Sequence, residues 1–297
     1  MFLEWGIPLE NKRNIRKSRI ILEELSGDLE RISNGERLTA SEGPGSISDT
    51  LPSKISHQLV RLSDRMYEVE QRAARDRDEL KELISEIAHQ LRNPLANMES
   101  YLELLSQSNL SAEEKASYLQ AVCEAERSVR FLTESFIKMA RLESRVIQIK
   151  KESFDLQETI LNSVLKVGQM AEEKNIQVQL EMKGNIAAAH DGNWLKEALV
   201  NLLDNSIKYS KEGDMIQITV TQNEMFTEIS VRDFGIGIEE GEENQIFKRF
   251  YRGRRVTVEE GFGIGLYLAR EIVQHHGGFM KVKRQEPGLS ASIFLPV

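Results

Sequence analysis

The chain has 297 residues, of which 40% are hydrophobic and 29% charged, with a net charge of −8. This length accommodates two or three modules that each bury a core. The acidic balance argues against a general nucleic-acid binder, which needs an excess of Lys and Arg to neutralise phosphates.

No run reaches the roughly 18 apolar residues of a membrane span. Met1-Phe2-Leu3-Glu4-Trp5 is too short and too acidic for a signal peptide, so a soluble, cytoplasmic chain is expected. Cys123 is the single cysteine and forms no intrachain disulfide. Its place beside the stripe residue Val122 predicts a small core filler in a reducing compartment.

From the amino end, Leu22, Leu25, Leu29 and Ile32 mark a helical stripe over residues 9 to 32, with Pro8 just ahead, where proline is tolerated. Asn34-Gly35 and the run Ser41-Glu42-Gly43-Pro44-Gly45-Ser46 supply turn chemistry, predicting an irregular connector over residues 33 to 52. From Ile55 the stripe resumes through Leu59, Leu62, Met66, Val69, Ala73 and Leu80, broken only by Asp76. A seam of that length predicts a coiled coil. Two helices joined by a connector, the second running on into a further helix, resemble a HAMP linker module; a plain coiled-coil linker fits the same pattern.

The seam continues through Ile84, Ile87, Leu91, Leu95, Met98, Leu102 and Leu105 in steps of three and four. At about 100° per residue, His89 lies roughly 200° round from Ile87 and is presented to solvent or a docking partner. Taken alone, an exposed histidine has many ordinary uses. Pro94 removes a backbone donor and crowds the carbonyl of Gln90, so a kink is expected near the histidine.

Past Ser108-Asn109-Leu110, Ser111 and Glu114 form a capping-box signature for a second helix with apolar positions Leu119, Val122, Ala125, Val129, Leu132, Phe136 and Met139. A hairpin with one narrow stripe per helix closes no core alone, which predicts a four-helix bundle made by two chains and hence a homodimer.

After Arg145 the periodicity changes, placing a domain boundary near residues 146 to 152. Asp155 and Glu158 predict a capped helix over 156–173, Ile176-Gln177-Val178-Gln179-Leu180 alternates as a strand, and Asp191 opens a helix over 192–209. Strands over 215–222, 226–233, 279–285 and 290–296 and a helix over 263–276 complete an α+β sandwich with a mixed sheet.

Three stretches in this half carry chemistry. Glu197, Asn201, Asn205 and Lys208 share one helix face. Amide oxygens, one acid and one lysine suit a magnesium-bound polyphosphate, although a solvated polar face opposite Leu195, Ala198, Leu199, Leu202 and Leu203 reads the same way. In Asp233-Phe234-Gly235-Ile236-Gly237, two glycines after a strand allow close backbone approach, and Asp233 suits an adenine amino group. In Gly261-Phe262-Gly263-Ile264-Gly265-Leu266-Tyr267, glycines lead into a helix whose free N–H groups favour phosphate. This stretch follows a loop and matches Gly-x-Gly-x-x-Gly poorly, which disfavours a Rossmann site. Between them, Phe247-Lys248-Arg249-Phe250-Tyr251-Arg252-Gly253-Arg254-Arg255 reads either as a surface loop with core aromatics or as a lid over nucleotide.

Taken in order, the His89 segment, the Asn205 helix, Asp233-Gly235-Gly237, Phe247/Phe250 and Gly263-Gly265 resemble the H, N, G1, F and G2 boxes of sensor histidine kinases over about residues 60 to 297. The resemblance implies a HAMP-like or coiled-coil region over 1–60, a dimerisation and histidine phosphotransfer domain over 61–146, and a Bergerat-type ATP-binding domain over 147–297. It implies that His89 attacks the γ-phosphate of ATP and passes the phosphoryl group to an aspartate on a response regulator receiver domain. Asn205 would be the Mg2+ ligand with Asn201 close by, Lys208 would contact phosphate, Tyr209 would lie near the base and Asp233 would bind the adenine amino group. Gly235, Gly237, Phe250, Gly261, Gly263, Gly265 and Leu266 would complete the nucleotide site. The resemblance leaves room for an upstream membrane sensor outside this chain.

One position departs from the family, which often has Glu or Asp directly after the histidine where Gln90 stands here. An amide oxygen orients an imidazole N–H but supplies no charge, so kinase activity is expected to be modest. Asn93, one turn after His89, matches the family position linked to regulator dephosphorylation. Two alternatives follow: a weakly active or inactive relative acting as dimeric phosphatase or scaffold, and an ATPase of the same nucleotide fold with Glu197 as water-activating base. His275 and His276 precede Gly277-Gly278 at a helix end and are assigned structure rather than metal, and His57 and His190 lack ligand-like spacing.

Overall fold

A computed structural model describes residues 9–38, 51–107, 109–143, 149–184, 186–256 and 261–297. Pro8, the Ser41–Ser46 run, Ser108 and residues 146–148 of the expected boundary segment lie outside the described residues. The chain divides into two compact units, Met1–Ala88 and His89–Val297.

In the first unit, α1 (Leu9–Ser33) packs against the opening turns of α2 (Leu51–Leu105). Ile32, Leu38 and Leu59 form a small core flanked by Leu25, Ile55 and Val60. Ser63 Oγ accepts from Leu38 N at 2.8 Å, and Arg37 Nε meets Asp64 Oδ1 at 2.8 Å, so the segment leaving α1 is tied along α2. The rest of the expected stripe is open in one chain: Leu22, Leu29, Leu62, Met66 and Val69 are all exposed.

In the second unit, α2 carries on through the buried Pro94 to Leu105. The capping box then forms as expected: Ser111 N donates to Glu114 Oε2 at 2.8 Å and Glu114 N to Ser111 Oγ at 3.1 Å. It starts α3 (Ala112–Glu143), which buries Leu132, Met139 and Leu142. The rings of Tyr101 and Tyr118 pair at 5.9 Å across the hairpin. The hairpin buries only part of its apolar stripe, and Leu95, Leu102 and Leu119 stay exposed. Cys123 is also exposed, not a core filler, because the buried side of this turn of α3 is taken by Ala125.

The remainder is the α+β sandwich. β1 (Glu152–Asp155) pairs with β3 (Ala187–His190), while β2 (Gln177–Met182), β4 (Met215–Gln222), β5 (Phe226–Arg232), β7 (Leu289–Pro296) and β6 (Phe279–Arg284) form a five-stranded sheet in that order. Only β2 and β4 run parallel. Alternating positions Ile216, Ile218, Val220, Ile229, Val231, Ile293 and Leu295 are buried against α4 (Leu156–Glu173), α5 (Gly192–Tyr209) and α6 (Gly265–His275).

Local chemistry sets the helix starts. Asp155 Oδ1 accepts from Gln157 N at 2.9 Å and Asp191 Oδ1 from Asn193 N at 3.1 Å and Trp194 N at 3.2 Å. Two buried histidines fix the base of the layer. His276 Nδ1–H donates to Ile272 O at 2.8 Å while its Nε2 accepts from Asp191 N at 3.1 Å, tying the end of α6 to the start of α5. Burial pushes this imidazole down, which keeps the accepting nitrogen free of a proton. His190 Nδ1–H donates to Ala188 O and its Nε2 accepts from Thr159 Oγ1, both at 2.8 Å. No described helix is long and apolar enough to cross a membrane.

Candidate active site

Along α5, Leu195, Leu199, Leu202 and Leu203 go into the core, which turns Asn201, Asn205 and Lys208 outward on the opposite side. These three and Tyr209 line a cavity of about 470 Å3, within the usual range for a small-molecule site. The carboxyl end of β5 supplies Asp233 and Gly237, and the glycine loop supplies Gly261, Gly263, Gly265 and Leu266.

Glycines fill the contacts between these segments. A Cβ on Gly265 would lie 3.0 Å from Asn201 Oδ1 and 3.5 Å from Asn205 Nδ2, and one on Gly261 would fall on the Lys208 ammonium. At Gly263, φ is +67° and a Cβ would strike the backbone of Phe250 and Tyr251. The amino end of α6 has no side-chain cap, so its first N–H groups lack an acceptor within the helix, and Gly265 at its start lies beside the two asparagines. Asn201 Nδ2 donates to Glu197 O at 2.8 Å, which turns its amide oxygen toward Gly265.

At the other end, Asp233 Oδ1 accepts from Gly235 N at 3.1 Å and Leu289 N at 3.2 Å. Burial pushes its carboxyl up to about 6, against the opposing pull of those two N–H groups. Asp204 also lines the cavity; burial raises its carboxyl and the nearby Lys208 partly offsets this.

Two expected cavity residues act from behind. Gly235 packs its Cα on the Tyr209 carbonyl, where any side chain would clash, and lines a neighbouring hollow with Phe234, Lys211 and Arg255. Phe250 adopts the left-handed backbone region (φ 59°) and sets its ring 6.2 Å from that of Phe136 on α3. Of the expected lid, Tyr251, Arg252 and Gly253 reach the cavity. Glu197 does not: its Oε1 accepts from Lys138 Nζ of α3 at 2.6 Å and its Oε2 lies 3.7 Å from Lys166 Nζ. Engaged this way, it is poorly placed as a water-activating base.

Sequence reasoning missed the hairpin's share of the site. Glu124, Arg127, Ser128 and Phe131 of α3 also line the cavity, and Phe131 stacks on Phe262 at 5.9 Å. His89 and Asn93 are exposed on α2 with Gln90 half-buried between them, and none of the three lines the cavity. Among the described residues no group of three or more His, Cys, Asp or Glu side chains is arranged to hold a metal ion. A cation here would therefore use asparagine oxygens together with ligand phosphates and water, a donor set that suits Mg2+.

The fold and cavity define a helical hairpin joined to a nucleotide-type α+β domain of the ATPase class. Residues 190–297 match the model for "Histidine kinase-, DNA gyrase B-, and HSP90-like ATPase", and residues 79–145 match the "His Kinase A (phospho-acceptor) domain". These two stretches belong to the phospho-acceptor and ATPase families of histidine kinases, and the matches support a sensor histidine kinase of the two-component type.

Among curated relatives, the sensor protein kinase WalK of Staphylococcus aureus is 29% identical over 223 residues, covering 73% of this chain and 53% of that one. For other strains of that organism the covered share of the relative is 36%, so the chain spans about half the length, or less, of the curated relatives it matches. Two solved structures share the fold. Histidine kinase ThkA in complex with response regulator protein TrrA has a TM-score of 0.58 at 20% identity, covering 78% of this chain and 66% of that one. Acinetobacter baumannii histidine kinase AdeS has a TM-score of 0.56 at 19% identity, covering 70% of this chain and 97% of that one.

Proposed function

We propose that the chain is an ATP-dependent protein-histidine kinase that phosphorylates His89 and passes the phosphoryl group to an aspartate of a response regulator. The observation that carries this is the convergence of Asn201, Asn205, Lys208 and the uncapped start of α6 at Gly265 in one cavity, in a chain that also presents His89 on an exposed helix face. Asp233 would accept from the adenine amino group and Tyr209 would flank the base. Lys208 and the α6 N–H groups would hold the phosphates, and Asn205, with Asn201 close by, would ligate Mg2+. When bound, that ion would neutralise charge on the phosphates. Phosphoryl transfer asks mainly for positioning and charge neutralisation, which these groups supply.

The imidazole of His89 would form the new N–P bond as the bond to the β-phosphate oxygen breaks, leaving ADP. The solved relative in complex with a response regulator supports a receiver domain as partner. The uncovered stripe at Leu95, Leu102 and Leu119 supports a homodimer that closes a four-helix bundle. Residues 1–60 would act as a HAMP-like or coiled-coil relay, 61–146 as the phosphotransfer domain and 147–297 as the catalytic domain, on the cytoplasmic side of any membrane sensor. Asn93 is exposed one turn after His89, which favours a companion activity as regulator phosphatase.

The test is incubation of wild type and His89→Ala with Mg-ATP labelled at the γ-phosphate. Acid-labile, alkali-stable label present in wild type and lost in the variant supports the kinase. Nucleotide binding with no label moves the assignment to a phosphatase or scaffold.

A further inference from the structure

Glu242 is among the most buried ionisable side chains of the catalytic half, 4% exposed, yet it lies outside all the motifs above. It sits between Gly237 and the short 3-10 turn Gln245–Phe247, and its own carbonyl accepts from Gln245 N and Ile246 N at the start of that turn. The carboxylate is held by three donors. Oε1 accepts from Tyr251 Oη at 2.8 Å and from Arg254 N at 2.9 Å, and Oε2 accepts from Glu239 N at 2.8 Å. Gly253 lies against the same carboxylate, its Cβ position 3.5 Å from Oε2. Burial pushes the carboxyl up, but the three donors outweigh it and hold the group below its ordinary range, so it is charged at neutral pH.

The clasped segment is a wall of the nucleotide cavity. Tyr251, Arg252 and Gly253 line it, and Tyr251 O stands 2.5 Å from where a Cβ of Gly263 would be. Phe250, immediately before, keeps a left-handed backbone that needs support from its surroundings. A side chain that joins the loop after β5 to both ends of the Tyr251–Arg254 stretch supplies that support.

We infer that Glu242 is a positioning residue for nucleotide phosphates: its carboxylate clasps Tyr251 and Arg254 so that the 251–254 segment stands preformed against the glycine loop. This rests on the nucleotide-binding reading of the cavity. The clasp acts at the phosphate end, beside Gly261–Gly265, and none of its three bonds involves Asp233 or the Gly235 and Leu289 N–H groups that hold Asp233. Losing it therefore weakens ATP while sparing adenosine.

The experiment compares Kd for Mg-ATP and for adenosine by calorimetry in wild type, Glu242→Gln and Tyr251→Phe, alongside thermal melts and trypsin digestion followed at Arg252, Arg254 and Arg255. Glu242→Gln keeps the shape but turns an amide donor toward a backbone N–H, whereas Tyr251→Phe removes one bond without burying a new polar group. The expected result is at least a tenfold loss of ATP affinity in Glu242→Gln and about threefold in Tyr251→Phe. Adenosine binding stays within twofold of wild type, and cleavage at the three arginines is faster. Equal losses for ATP and adenosine, or a melt lowered with no selective loss, would assign Glu242 to the fold alone and overturn the inference. Should Glu242→Gln not fold, Tyr251→Phe decides by the same ratio. Wild type that binds neither ligand would instead overturn the nucleotide reading itself.

Discussion

Lys138 Nζ lies 2.6 Å from Glu197 Oε1, joining the second hairpin helix to the helix that carries both cavity asparagines. Glu197 is one turn before Asn201, whose Nδ2 bonds the Glu197 carbonyl, so the ion pair and the amide face are parts of one rigid stretch of α5. With Phe131 on Phe262 and Phe136 near Phe250, it holds α3 across the cavity. Both side chains are partly screened, so the pair contributes about 1 kcal/mol. In this arrangement the hairpin residues at the cavity come from α3, and His89 does not line it. Lys138→Ala should therefore raise the initial rate of His89 phosphorylation severalfold at saturating ATP, by loosening a contact that holds the nucleotide away from its acceptor. A slower rate would mean that the contact belongs to the productive arrangement.

The carboxylate form of Asp233 is the one that accepts from an amino group, and it exists above the raised value of about 6. As pH falls through 6 this form disappears, so adenosine should bind about tenfold more weakly at pH 5 than at pH 7. Adenosine is the better probe because it has no phosphate to titrate. Asp233→Asn should bind weakly and without this pH dependence; a wild-type profile that is flat between pH 5 and 7 would remove Asp233 from adenine recognition.

Gln90 stands half-buried beside the exposed His89. A carboxylate there would stabilise the imidazole as it loses its proton, and charge-assisted bonds are about twice as strong as neutral ones. Gln90→Glu is expected to speed autophosphorylation, read as the single-turnover rate with labelled ATP. An unchanged or slower rate rejects a proton-accepting role at this position.

Much of this architecture is legible locally. Asp191 and the leucine period place α5 at 192–209, and the Ser111–Glu114 box and the Asp155 cap both form. What stayed hidden is non-local. The strands Glu152–Asp155 and Ala187–His190 are four residues each, too short for a period and paired only across an intervening helix and strand. Lys138 and Glu197 are 59 positions apart, and the nearer Glu242 and Tyr251 meet only through the loop geometry between them. Cys123 turns outward: the stripe residue beside it does not determine which neighbour faces inward.

The hairpin stripe likewise reads as a single buried seam in sequence but is half open in one chain, with Leu95 at 44% and Leu102 at 50% exposure on the same side of α2. These two positions supply the face expected to meet a second copy. Leu95→Asp with Leu102→Asp should convert a dimer to a monomer by light scattering, while nucleotide binding persists, since neither leucine lines the cavity. A variant that remains dimeric would place the interface elsewhere.

Gly265 separates folding from function most cleanly. It starts α6 with an ordinary backbone, so alanine there carries no conformational strain and favours the helix by up to about 1 kcal/mol. Its methyl, however, would stand 3.0 Å from Asn201 Oδ1 and 3.5 Å from Asn205 Nδ2, in the space assigned to phosphate and Mg2+. Gly265→Ala is therefore expected to melt at or above the wild-type temperature while losing at least tenfold in Mg-ATP affinity. The Mg2+ dependence of what binding remains should be blunted, because the methyl crowds the asparagine oxygens rather than the adenine end. Wild-type affinity in this variant would show that phosphates do not enter between α5 and α6, and a lowered melt would show that the glycine serves packing.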